Sequence, residues 1–244
     1  MGTVNTNFPI QTAEKVASLW PSLHALLDEG SLFIMSSTYV ASGKAAGTGI
    51  ATTTSVVDDA ATASATHAQN VPVMYLQNNS TPTDFSARTI YPLALKMTVT
   101  AAPTSATVWN YAIRADNVPR YTSGGTALTA QNLNTGSSNT SNLHAYFGAV
   151  VTTNLPSASQ RVLASGQVQS TIPVVKDVWI FTFGDITMPS SILTASAAKN
   201  INIPVQPFAI GPGWNVALEM WGASNAGAPA WEFDFIYAER CFGQ

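Results

Sequence analysis

Charge is what this chain has least of. Asp, Glu, Lys and Arg make up 9% of its 244 residues, against about a quarter in an average soluble domain. Exposed charge keeps freely diffusing proteins apart. A surface of Thr, Ser, Ala and Asn suits a protein whose surface is covered by neighbours. The basic residues are scattered, and Arg88, Lys96, Arg114 and Arg120 never form a run. With a net charge of −3, this leaves no clustered positive footprint for DNA or RNA. Cysteine is almost missing too. Cys241 alone cannot close an internal disulfide, and it reads as a small apolar residue in a terminal segment. No apolar run is long enough to cross a membrane as a helix. Met1 to Pro9 lack a basic n-region and an apolar h-region, so the expectation is a protein made in a cytoplasm without a cleaved leader.

Patterns that carry chemistry are also scarce. His24, His67 and His144 are far apart, and none belongs to an H-x-x-x-H or H-x-x-E-H pattern. There is no G-x-S-x-G elbow, and Gly47-Thr-Gly49 lacks the spacing of a phosphate loop. One carboxylate group merits weighing. If the last two strands pair, alternation places Glu219, Glu232 and Asp234 together on an outer face, where two carboxylates about 5–9.5 Å apart would serve glycoside hydrolysis. A solvated face that discourages edge-to-edge pairing is the simpler reading. Trp109 or Trp221 facing outward would offer a stacking platform for sugar rings. The expectation is a protein that is not an enzyme, with no cofactor and no metal.

What the chain does have is bulky apolar material in alternating runs: six Trp, ten Phe and seven Tyr. Residues 1–11 read as an extended arm. From Thr12 to Asp28, Val16, Leu19, Trp20, Leu23, Leu26 and Leu27 fall on one helical face. Thr12 suits the cap, Glu14 the positive end and Gly30 the stop; Pro21 either kinks the helix or lies in the first turn of a second one. Residues 31–40 read as the first strand, and 41–70 as a long Ala/Ser/Thr-rich excursion. Further strands are predicted over 71–77, 90–100, 107–113, 143–151, 161–168, 178–183 and 201–210, with 121–142 as a turn-rich segment.

The last two strands are the clearest. Trp214, Val216, Leu218 and Met220 share one face of 214–221, and Trp231, Phe233, Phe235 and Tyr237 one face of 231–237. The intervening Gly-Ala-Ser-Asn-Ala-Gly-Ala-Pro suits a wide hairpin. Together these patterns predict an all-β, jelly-roll-like antiparallel β-sandwich over 31–244, preceded by an arm and one amphipathic helix over 1–30.

Gly211-Pro-Gly-Trp-Asn-Val-Ala-Leu-Glu-Met-Trp, Ala228-Pro-Ala-Trp-Glu-Phe-Asp-Phe-Ile-Tyr-Ala-Glu-Arg240 and Arg120-Tyr-Thr-Ser-Gly-Gly-Thr-Ala-Leu-Thr resemble segments of virion structural proteins of tailed bacteriophages. The resemblance implies a capsid-associated or tail-associated β-sandwich with no active-site residues to carry over. The expectation is a head decoration or cement protein on the virion surface. Its partners would be its own copies, in a trimer or other small ring, and the major capsid protein. Val16, Leu19, Trp20 and Leu23 would be the docking anchors. The alternatives are a tail, spike or head-fibre protein and, in another class, a carbohydrate-binding sandwich.

Overall fold

The computed structural model describes residues 19–37, 39–40, 43–44, 50–51, 71–84, 86–104, 108–153, 160–169, 171–184, 199–222 and 229–241. Its elements begin with α1 (Leu19–Asp28), β1 (Leu32–Ser36), β2 (Tyr39–Val40), β3 (Gly43–Lys44), β4 (Ile50–Ala51) and β5 (Met74–Asn78). They continue with β6 (Arg88–Ala101), β7 (Trp109–Asp116), β8 (Tyr121–Leu128), β9 (Gln131–Asn132) and β10 (Leu143–Thr152). The last are β11 (Arg161–Gln169), β12 (Val178–Phe183), β13 (Asn200–Val205), β14 (Asn215–Gly222) and β15 (Ala230–Cys241).

One sheet orders its strands β13-β12-β6-β15-β1-β9, the other β11-β7-β14-β5-β10-β8. Within the first, β12-β6-β15-β1 are neighbours; within the second, β11-β7-β14-β5. Followed along the chain, these strands cross between sheets at every step except from β7 to β11. Two four-stranded layers wound this way are a jelly roll. Additions extend the frame: the hairpin-like pair β8 and β10 widens the second sheet, β9 borders β1, and β13 runs parallel to β12.

Alternation determines which faces meet. In β15, Trp231, Phe233, Phe235 and Tyr237 are at most 1% exposed, while Glu232, Asp234 and Ile236 are half-buried. The facing sheets interlock through rings. Phe147 of β10 meets Phe233 at 4.6 Å, and Tyr111 of β7 meets Phe181 of β12 at 5.2 Å. Trp109 of β7 lies 5.7 Å from Trp179 of β12 and 6.2 Å from Trp231, and the latter two are 4.5 Å apart. Aromatic pairs of this kind contribute about 0.5–1.5 kcal/mol beyond the area they bury.

Four sequence-based expectations need correction. The last two strands are not a hairpin: β14 pairs with β5 and β7, and β15 with β1, β4 and β6. Winding between layers separates strands that are adjacent in sequence. The segment read as turns contains β8, whose residues 121–127 are all exposed. An edge strand with neither face in the core shows no apolar alternation to read. Strand 201–210 ends early at Val205, and Ile210 returns only as a bridge to Ile90; Pro204 and Pro207 withhold ladder donors. Inside 41–70, β3 pairs with β2, and β4 pairs with Ala230 and Trp231 of its own chain; residues 45–49 and 52–70 lie outside the described ones.

Burial raises the Tyr75, Tyr111 and Tyr237 phenols above their ordinary value. A phenol with a folded pKa above its unfolded one supports the fold fully below pH of about 10 and loses that contribution as pH climbs. In an alkaline titration these tyrosines ionise only together with loss of near-ultraviolet circular dichroism. Reversible ionisation of all seven tyrosines on an intact fold would contradict this.

Candidate functional site

Helix α1 ends by a mechanism the sequence announced. Gly30 has φ 65°, the Gly30 N–H donates to Leu27 O at 3.0 Å, and the Ser31 N–H donates to Leu26 O at 2.8 Å. This is a Schellman stop. A side chain at Gly30 would meet Ser137 Oγ at 2.1 Å, so the position needs both the left-handed backbone and the missing Cβ. Pro21 stands in the first turn of the helix, where its missing N–H goes unused.

The stop is reinforced from a distant part of the chain. Asn132 Nδ2 donates to Gly30 O at 2.8 Å, Asn134 Nδ2 to Asp28 O at 3.2 Å, and Asn139 Nδ2 to Glu29 O at 3.1 Å. These amides satisfy carbonyls that a helix end leaves without intrahelical partners. Asn134 and Asn132 also close local turns, accepting from Gly136 N and Asn134 N. The loop after β9 is thus a cradle for the end of α1. Arg240 adds a pair with Glu29 at 3.4 Å, about half exposed on both sides, a geometry that contributes little.

The described apolar side chains of α1 stand outside the core of the sandwich. Leu23, Leu26 and Leu27 are half-buried, and none of them belongs to the apolar core that fills the jelly roll. Of the expected anchors, Leu23 is therefore on a helix face that the core does not use. Leu19 and Trp20 belong to α1 by their backbone, but their side chains, like the whole of Val16, lie outside the described residues.

Elsewhere the few charges are mostly engaged with each other. Arg114 of β7 pairs with Glu219 of β14 in direct contact, the latter 2% exposed at its side chain. Burial, followed by repulsion from Arg120, lowers the Arg114 guanidinium to about 10, so it remains charged near neutrality. Arg120 Nε donates to Asp116 Oδ2 at 2.6 Å, Nη1 donates to Thr153 O at 3.2 Å, and the Arg120 N–H donates to Tyr75 Oη at 3.0 Å. At the α1 end, Glu239 accepts from Ser141 Oγ and from Asn142 N, with Arg88 Nη1 at 3.6 Å. A cleft of about 420 Å³ opens there, lined by Glu29, Arg88, Asn139, Glu239, Arg240 and Cys241. Both of its arginines already face its glutamates.

The carboxylate grouping weighed from the sequence does not form. Glu219 lies in the second sheet, while Glu232 and Asp234 lie in the first, and Asp234 is held by Ser36 Oγ at 2.5 Å and Lys96 at 3.6 Å. The premise of a terminal hairpin was wrong, so the supposed shared face is two faces of different layers. Trp109, considered as a sugar platform, is 1% exposed inside the tryptophan cluster. Trp221 is half-buried on β14. His24 and His144 are exposed and His67 lies outside the described residues; among the described residues no three His, Cys, Asp or Glu side chains gather as metal ligands would.

What the surface does offer is neutral strand and a few apolar points. β8, Tyr-Thr-Ser-Gly-Gly-Thr-Ala-Leu, has no charged residue and no proline to blunt its edge. Tyr121 on β8 stacks on Tyr146 at 4.0 Å. Ile172, Val174 and Val175, in the turn before β12, are 40%, 37% and 51% exposed. No family model, curated protein or solved structure matches this chain.

Proposed function

We propose that this chain is a structural component of a bacteriophage virion, a head decoration or cement protein that binds the major capsid shell and stabilises it without catalysis. The observation that carries this reading is α1: a helix whose described apolar side chains, Leu23, Leu26 and Leu27, are not part of the jelly-roll core, fixed by its C-terminal end in an asparagine cradle. Such an element is oriented for something other than its own domain. Several further features support the reading. Jelly rolls recur in viral shells, though that fold also serves lectins and fold alone assigns no activity. The low charge matches the depletion of Lys, Glu and Asp in the cores of protein interfaces. The resemblance of the two C-terminal segments and of the Arg120 region points to the same class.

In this mechanism, residues 1–30 dock on the shell with Val16, Leu19, Trp20 and Leu23 as anchors, while the sandwich and the C-terminal end of α1 are left for neighbouring copies. Shell stabilisation follows by mass action, because a ligand that binds only the assembled state shifts the equilibrium toward it. The test is cosedimentation of the chain lacking residues 1–30 with empty heads and, in parallel, with purified tails. Full-length protein saturates heads and the truncated chain loses occupancy. Undiminished occupancy without residues 1–30 overturns the anchoring role, and binding to tails alone moves the protein to a tail station.

A further inference from the structure

We infer that copies of this chain join head to tail, the 172–177 turn of one seated against the α1 end of the next. This deepens the assembly reading above by naming the contact between copies, and it stands or falls without reference to any shell.

The turn before β12 is built to be presented. Asp177 is 1% exposed, and its two carboxylate oxygens accept from Val174 N at 2.9 Å and Lys199 N at 2.7 Å. The Lys176 N–H donates to Val99 O at 2.8 Å, and the Val99 N–H donates to Asp177 O at 2.9 Å, which locks the turn onto the end of β6. Lys176 has φ 78°, the one non-glycine residue in that region among the described ones. The chain thus accepts backbone strain to hold Ile172, Val174 and Val175 outward. A preorganised apolar tip loses little conformational freedom when covered.

Charge says what covers it. Among the described residues, ion pairs engage Arg88, Lys96, Arg114, Arg120 and Arg240. Arg161 lies over the Trp214 ring at 5.1 Å. Lys176 and Lys199 are exposed and have no acidic partner among the described residues, and both border the turn. Among the described residues, the exposed acids without a basic partner are Asp28, at the end of α1, and Asp84, in the loop leading to β6. Glu232 is half-buried on the first sheet. The remaining cations with described side chains therefore border the apolar turn at one end of the sandwich. The described acids left over sit at the other end: Asp28 on α1, which also carries the half-buried Leu26 and Leu27, and Asp84 before the start of β6.

The two ends are also on opposite edges. β6 runs from Arg88, at the cleft below α1, to the Val99 contact with the turn. The turn belongs to the β11–β12 side, while α1 leads into β1 and is cradled after β9 on the far side. Patches on opposite edges and at opposite ends are matched when one copy follows the next in the same sense. Their contact is heterologous, and it closes into a ring or continues as a filament according to the rotation between copies.

The experiment is sedimentation velocity on two purified variants and their mixture. Val174→Asp with Val175→Asp disables the turn, and Leu26→Asp with Leu27→Asp disables the α1 end. The wild type associates, each variant alone is monomeric, and the 1:1 mixture gives a heterodimer and nothing larger, because one intact half remains on each partner. A second pair guards against misfolding: Lys176→Glu or Asp28→Lys alone weakens association by about two- to fivefold, and the two in one chain restore it. A monomeric wild type, a variant that assembles normally, or a mixture of folded variants that stays monomeric each overturns the contact. A monomeric chain that still saturates empty heads would remove this contact and leave the decoration reading in place; an associating chain that ignores heads and tails would do the reverse.

Discussion

Glu219→Ala lowers the unfolding free energy by about 3–5 kcal/mol, whereas Glu232→Ala stays within about 0.5 kcal/mol of wild type. In sequence the two residues read alike, as carboxylates on alternating strands. In the fold, Glu219 is the partner of a guanidinium whose side chain is only 11% exposed, and Glu232 is half-buried with no basic partner among the described residues. Removing Glu219 takes from Arg114 the carboxylate it touches, in a low-dielectric environment close to Arg120, and leaves Asp116, already paired with Arg120, as its counter-charge. Arg114→Met combined with Glu219→Leu recovers most of the loss, because an apolar pair of similar volume carries no desolvation cost. Urea unfolding midpoints at constant m-value report both results. If Glu219→Ala matched Glu232→Ala, the pair would be a surface contact and the burial described here would be wrong.

Trp231→Ala is the second large effect, about 3–5 kcal/mol. The indole is 1% exposed and touches Trp179 within its own sheet and Trp109 across the interlayer space. Backbone ladders on both sides, to β6 along its length and to β4 at Trp231 itself, keep the strand from collapsing into the space left behind. Trp221→Ala, at a half-buried position on β14, costs clearly less. Comparable losses at the two positions would mean that the tryptophan cluster is not the junction between layers. Guanidinium unfolding of both variants decides it.

The strands with one buried face were legible because period-two alternation is a local signal. Met97 and Val99 on β6, Trp109, Tyr111 and Ile113 on β7, and the ring ladder of β15 all face inward as their sequence spacing requires. Val178–Phe183 was readable for another reason, a short apolar run buried on both sides. Partner choice was not legible. Nothing in residues 214–237 states that consecutive strands belong to different layers, so pairing by adjacency placed Glu219 beside Glu232. β8 escaped notice because Gly124 and Gly125, both at positive φ, and its Thr and Ser residues carry the composition of a turn. The α1 stop was visible in Gly30, but its cradle was not. Asn132, Asn134 and Asn139 reach carbonyls that are more than a hundred residues away in sequence, and amide side chains leave no periodic trace.

That cradle is made of carboxamides and backbone, groups that neither titrate in the range where proteins stay folded nor respond to counter-ions. Brine strong enough to screen the Arg240–Glu29 bridge leaves the attitude of α1 unchanged. Whatever grips the helix therefore meets the same angle of approach in a dilute medium, a salty one or a lysate.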